Sequence, residues 1–328
     1  LVNLKGELVG VNSASLSGGR LTLNLNNKCS NGLYLRHGGG NGGTVSLGPL
    51  TVLSAKENSA VATSENQALL VYGRYESVYI RDCIVNGVDR TNTGGGACKG
   101  ISISEIVGQC TIVAPQGSNV LCTGSSADAD GISVFGYATG GTYAKREGVL
   151  NLQDPVVTDC QGRSIKLQIS ESAIYRPRIY RRSVVAFTVG DIDYQVGGDH
   201  ALIEPHWEYR FNGATFPVPS GFYAISWQQR CTDRPNRLRV SGGVFATERE
   251  IDRFVYQTTG ASATAGVLSV DGTKFQQIGS FATKVFSIAI VEIHAGQVQA
   301  ATLSHVEVRN TRGNMSGARV LGYTDASA

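Results

Sequence analysis

"SIKLQ" at residues 164–168 is one of six five-residue stretches built to one plan. The others are ALLVY (68–72), GISIS (100–104), GISVF (131–135), DIDYQ (191–195) and AISWQ (224–228). In each, the second and fourth residues are apolar or aromatic: Leu69/Val71, Ile101/Ile103, Ile132/Val134, Ile165/Leu167, Ile192/Tyr194 and Ile225/Trp227. Side chains alternate faces along a strand, so each pair predicts a strand with one buried face. The stretches start 32, 31, 33, 27 and 33 residues apart, inside the window of about 20–50 residues that marks solenoids. Constant phase with uneven spacing predicts coils of constant cross-section whose loops differ in length. The fold is therefore predicted as all-β, a single-stranded parallel β-helix (solenoid). A β-sandwich would supply strands and turns, but not one apolar column in phase.

A second series lies between these strands: VYIRDC (78–83), PVVTDC (155–160), SAIYRP (172–177) and HALIEP (200–205). Each ends a short strand at a turn-forming residue, which predicts at least two strands per coil. Helical periodicity is nearly absent; TEREIDRF (247–254) reads as a short helical turn. The chain divides into N-terminal coils or an entry into the β-helix (1–67), a central β-helix carrying the groove (68–240) and C-terminal coils (241–328).

Composition narrows the function classes. With 41% hydrophobic residues, 17% charged residues and a net charge of +3, the chain is expected to fold, and nothing points to nucleic acid or an anionic membrane as a partner. No stretch approaches the length of an apolar membrane span. The seven cysteines are odd in number and none forms a CxxC pair, so they read as buried thiols of a chain folded in a reducing cytosol. The first residues, LVNLKGELVG, carry neither an initiator Met nor a signal-peptide pattern, as expected for a piece of a longer protein.

If successive coils stack at about 4.8 Å, the third and fifth positions of each strand form outward ladders. The third reads Ser102, Ser133, Lys166, Asp193, Ser226, and the fifth Ser104, Phe135, Gln168, Gln195, Gln228. Lys166 should thus neighbour Asp193, with three stacked glutamines beside them. The residues just before each strand add Asp130, Arg163 and Asp191 to the same rim, and SSADADGI (125–132) adds Asp128. Amide ladders can merely satisfy one another, and an exposed Lys–Asp pair is worth under about 1 kcal/mol. A concentration of charge on one edge of a charge-poor chain argues for more.

Paired carboxylates along a groove suit glycoside cleavage. An inverting hydrolase separates them by about 6.5–9.5 Å and a retaining one by about 5 Å; Asp130 and Asp193 lie two coils apart, about 10 Å along the axis. The alternative is β-elimination of a uronic acid, with Lys166 or Arg163 as base or charge neutraliser. Lys166 beside a carboxylate suits the neutraliser better than the base, so hydrolysis leads. Asp130, Asp191, Asp193 and Lys166 are the candidate catalytic groups. Asp128, Arg163, Gln168, Gln195 and Gln228 are candidates for holding substrate.

HALIEPHWEYR (200–210) is the other concentration of functional residue types. Alternation puts His206 and Glu208 on one face, as further substrate-binding candidates, and Trp207 and Tyr209 on the other, toward the interior. No Cys/His set has metal-ligand spacing, and DADGI lacks the length and terminal Glu of an EF-hand loop, so no metal or cofactor is predicted. The glycine-rich GGGNGG (38–43) and NTGGGACKG (92–100) lack the order of a phosphate-binding loop, and no GxSxG elbow occurs.

The order DADGI, VVTDCQGRSIKLQ, PRIYRRS, GDIDYQVGGDHALIEP resembles the body of bacteriophage tailspikes with a pectate-lyase-like fold. The resemblance spans residues 70–230 and thins toward both ends. It implies a right-handed parallel β-helix, a homotrimer of side-by-side helices, and a polysaccharide depolymerase carried on the phage tail. Such an enzyme is made in the host cytoplasm and acts on capsule, exopolysaccharide or O-antigen at the bacterial surface. Members divide between hydrolases and lyases, and their carboxylates lie within one subunit or between two. Non-catalytic adhesins are a further possibility for this fold. No invariant catalytic signature carries over, so the candidate residues rest on the ladders.

Overall fold

Three strands make one coil, and the coil repeats. Ser13–Leu16 opens sheet A, Leu21–Asn24 sheet B and Leu33–Arg36 sheet C, after which the A–B–C order recurs along the chain. Among the described residues each sheet contains ten strands, each hydrogen-bonded to its counterparts in the adjacent coils, in parallel. The arrangement is seen in a computed structural model that describes residues 13–322 except 27–30, 38–39, 41, 58–65, 91–96, 123–128, 139–145, 183–189, 211–222, 230–235, 249–252, 260–265, 278–288, 294–297 and 311–320. Among the described residues there is no helix. The helical reading of 247–254 gives way at both ends, since Thr247 closes strand Val244–Thr247 and Arg253 opens strand Arg253–Thr259.

The predicted repeat lies entirely in sheet C, and its register is the one the pattern requires. Leu69 pairs with Ile101, Ile101 with Ile132, Ile132 with Ile165, Ile165 with Ile192 and Ile192 with Ile225. All six are fully buried. The coil holds three strands where the sequence predicts at least two, because in the central coils only one or two residues separate the sheet A strand from the sheet B strand. Asp82, Asp154, Arg176 and Glu204 occupy that bend with φ of 51°, 50°, 47° and 50°, a left-handed conformation that turns the chain in one step. The ladder continues through the corner: Asp154 N–H donates to Tyr175 O at 2.9 Å, and Arg176 N–H to Ile203 O at 2.8 Å. With no loop to mark the bend, a sheet A strand and the sheet B strand after it read as one segment. The second series mixes the two: PVVTDC lies at the sheet B strand Val156–Thr158, and SAIYRP and HALIEP at sheet A strands.

Inside, each sheet adds columns of stacked side chains. In sheet B the column runs Val85, Gly117, Val157, Ile179, Trp207, Phe245, Phe275, growing from small to aromatic along the axis. Phe245 and Phe275 stack at 5.5 Å with their planes 13° apart, a favourable ring geometry. Trp207 and Tyr209 are interior, as alternation predicts. In sheet A the apolar column Val78, Cys110, Leu150 gives way for two steps to Ser172 and His200 and then returns to Leu238. Ser172 Oγ lies 2.8 Å from His200 Nδ1, and His200 Nε2 is 3.0 Å from Val196 O. The Ser172 hydroxyl and both His200 ring nitrogens therefore have partners. Cys83, Cys98, Cys110 and Cys160 are buried thiols, and burial pushes Cys83, Cys110 and Cys160 up to about 12.

Candidate functional site

The outer face of sheet C is shaped by a kink repeated from coil to coil. Ala129 pairs with Cys98 and Ile132 with Ile101, and all four point into the core. Between them Asp130 pairs with Lys99 and faces outward, while Gly131 and Gly100 form an extra step. Such a bulge re-aims the side chains on either side of it. The kink residue itself faces the corner with sheet B: a Cβ on Gly131 would stand 2.7 Å from Val157 Cγ1 and 2.8 Å from Cys160 Sγ.

The outward positions consequently come in threes: Lys99, Ser102, Ser104; Asp130, Ser133, Phe135; Arg163, Lys166, Gln168; Gly190, Asp193, Gln195. The middle column is in register from Ser102 through Ser133 and Lys166 to Asp193. Most of these side chains are shielded from solvent: Asp130 is 0% exposed, Asp193 1% and Lys166 7%.

Charge pairing on this face runs diagonally. Arg163 Nε donates to Asp193 Oδ2 at 2.6 Å, and Arg163 Nη1 lies 3.5 Å from Asp130 Oδ1. Lys166 Nζ sits 3.6 Å from Asp130 Oδ2. Lys166 is thus in register with Asp193, as predicted, and its ion pair is with Asp130. The glutamines form a chain ending on the same carboxylate: Gln168 Nε2 donates to Gln195 Oε1 at 2.6 Å, Gln195 Nε2 to Asp193 Oδ2 at 2.8 Å, and Gln228 Nε2 to Asp193 Oδ1 at 3.3 Å. One guanidinium spans Asp130 and Asp193, which keeps the two engaged oxygens within about 8 Å of each other, a limit that admits a retaining pair at about 5 Å and the lower part of the inverting range of about 6.5–9.5 Å.

Asp191 does not share this rim. It occupies the kink position, the one held by Gly131 and Ser164 in the preceding coils, and points inside, where it is fully buried. Its carboxylate accepts from Arg181 Nε at 2.9 Å, Arg181 Nη2 at 2.8 Å, Trp207 Nε1 at 2.8 Å and Ser164 N at 3.0 Å. Arg181 also donates to the carbonyls of Cys160 and Gly162. Burial works against the Arg181 charge and the Asp191 carboxylate outweighs it, so the guanidinium stays above its ordinary value. A charge pair enclosed on every side holds the corner of sheets B and C and has no route to a substrate.

His206 and Glu208 also lie apart from the cluster, on the outer face of sheet B. Glu208 bridges Arg210 Nε at 2.6 Å and His206 Nε2 at 3.4 Å, and the rings of His206 and Tyr180 are 5.5 Å apart. Asp128 lies outside the described residues. The structure brings together Asp130, Arg163, Lys166, Gln168, Asp193, Gln195 and Gln228. It adds Lys99, which the ladder argument missed: counting back by strict alternation from Ile101 puts Lys99 inside, and the bulge turns it out. Among the described residues no group of three or more His, Cys, Asp or Glu side chains is placed to hold a metal ion.

Comparison of the chain with protein-family models, with curated proteins and with solved structures finds no match.

Proposed function

We propose that the chain is the β-solenoid body of a depolymerase of the phage-tailspike type, which hydrolyses a bacterial surface polysaccharide along the outer face of sheet C. The observation that carries the reading is the grouping of Asp130 and Asp193 on that face, spanned by Arg163 and continued along the axis by an amide row. A parallel solenoid offers an elongated face with a repeat of about 4.8 Å, close to the advance of one sugar along a glycan. In an inverting hydrolysis one carboxylic acid protonates the leaving oxygen and the opposite carboxylate takes a proton from water. Asp130 and Asp193 supply that pair once substrate draws Arg163 aside, and the glutamine amides suit sugar hydroxyls. The proposed setting is a homotrimer on the virion, acting at the bacterial surface after synthesis in the host cytoplasm. The buried thiols suit that reducing site of synthesis.

A non-catalytic glycan grip is the second reading, favoured by the full engagement of Asp193 with Arg163, Gln195 and Gln228. One experiment separates them. The protein is mixed with a panel of capsular and O-antigen polysaccharides while new reducing ends and the ultraviolet absorbance of unsaturated uronates are followed together. Reducing ends without absorbance, abolished by Asp130→Asn or Asp193→Asn, are the expected result. Both signals together would make the enzyme a lyase, and binding without either would leave the grip.

A further inference from the structure

Upstream of the carboxylate pair, the same face carries an arrangement that hydrolysis does not use. Lys99 Nζ lies 5.1 Å and Lys166 Nζ 5.7 Å from the centroid of the Phe135 ring, so two ammonium groups from strands on either side converge on one aromatic residue. Ser102 on the Lys99 strand and Ser133 on the Phe135 strand stand beside them in register, 1% and 0% exposed. Their hydroxyls have no hydrogen-bond partner among the described residues. Buried hydroxyls without partners are uncommon, because each forfeits its hydration without replacement. Asp130 Oδ2 is placed against these groups, 3.6 Å from Lys166 Nζ. The half-buried Phe135 is where this grid meets solvent.

We infer that Lys99, Lys166, Ser102 and Ser133 form an oxyanion-binding subsite, which overlaps the carboxylate pair at Asp130, reaches one strand beyond it and takes an acidic substituent of the glycan. Two ammonium groups supply charge and two hydroxyls supply donors of fixed position, the combination that charge-assisted hydrogen bonding to an oxyanion requires. Phe135 sets the spacing of the lysines and offers a ring face to the sugar that carries the anion. The inference rests on sheet C being the glycan face and names its substrate class: a polymer bearing carboxylate, sulfate or phosphate.

The test needs no known polysaccharide. Thermal unfolding of the intact chain is followed in sulfate, phosphate and glucuronate against chloride at equal ionic strength, with glucose as neutral control. At least one oxyanion should raise the midpoint in a saturable way, as binding to the folded state alone demands. A non-saturating rise is the general salt effect on burial. The Ser102→Ala/Ser133→Ala double variant should be as stable as the parent or more so without anion, because it removes two unsatisfied hydroxyls. It should bind the oxyanion at least about tenfold more weakly, and Lys99→Gln should do the same. The oxyanion with the strongest effect identifies the substituent. No saturable rise, or an equal rise in parent and variants, would overturn the subsite. Binding is read here without cleavage, so the two readings fail separately. Saturable anion binding with no new reducing ends keeps the subsite and removes the hydrolase, and cleavage without anion binding does the reverse.

Discussion

Asp191 and Asp193 stand two residues apart on one strand, each paired to an arginine, and lead to opposite sides of the wall. Asp191 meets Arg181 inside the coil, where both side chains are 0% exposed. Asp193 meets Arg163 on the outer face, with the arginine 14% exposed. The inner pair is saturated: two hydrogen bonds between the partners, an indole, a backbone amide and two carbonyls. The outer pair shares its arginine with a second carboxylate and its aspartate with two glutamines, and these links can be exchanged for a ligand. Charge in a covered β-solenoid can thus close a corner or equip a face, and the kink decides which.

The largest difference between the pairs should be in stability. Asp191→Ala leaves the Arg181 guanidinium enclosed without a counter-charge, which costs about 3–5 kcal/mol. It should appear as a large drop in the urea midpoint of unfolding. Replacing both partners with apolar residues, as in Arg181→Met with Asp191→Leu, should recover most of that loss. If the double replacement is as damaging as the single one, the pair does more than neutralise itself.

Acid should probe the interior next. Burial lowers the His200 pKa to about 4 from its ordinary 6.5, so the imidazole stays neutral in the fold while the unfolded chain protonates it. Above pH 6.5 both states are neutral and the stability is fully present. As pH falls from 6.5 toward 4, the unfolded state gains a proton that the folded state refuses, and about 3 kcal/mol is lost. His200→Leu should flatten this window in a pH series of denaturation curves. An unchanged slope in the variant would move the acid sensitivity elsewhere.

The kink itself is tested by Gly131→Ala. The added methyl would meet Val157 Cγ1, Cys160 Sγ and the Ser164 carbonyl at 2.7–2.8 Å, an overpacking that costs about 1–3 kcal/mol. The strain falls on the residue that holds Asp130 outward, so cleavage or glycan binding should fall more steeply than the unfolding midpoint. A variant that loses stability alone would separate the kink from the site.

Much of this was legible in the chain. The column Ile101, Ile132, Ile165, Ile192, Ile225 reports its own register, because period-two alternation and a repeat of about thirty residues have few joint solutions. The register of Lys166 with Asp193 and the contact of Gln168 with Gln195 followed directly. The kink did not. Asp130 and Arg163 stand two positions before the first buried isoleucine and Asp191 stands one, and only the pairing of Ala129 with Cys98 shows that the two positions face opposite ways. Lys99 stayed hidden for the same reason. The separation of sheets A and B escaped because a single left-handed residue makes the bend, and Asp, Arg or Glu in that role looks no different from an ordinary surface residue.

The smallest expected change in stability sharpens the comparison most. Asp193→Asn removes a charge but keeps a polar group able to meet Gln195 and Gln228, and it leaves Arg163 within 3.5 Å of Asp130. Unfolding should shift by no more than about 1 kcal/mol, the net scale of one hydrogen bond, because Arg163 keeps Asp130 as its counter-charge. Glycan cleavage should fall at least about a hundredfold, as loss of a general acid or base entails. A loss of stability matching that of Asp191→Ala would make the outer pair as structural as the inner one, and the face of sheet C would then be wall rather than groove.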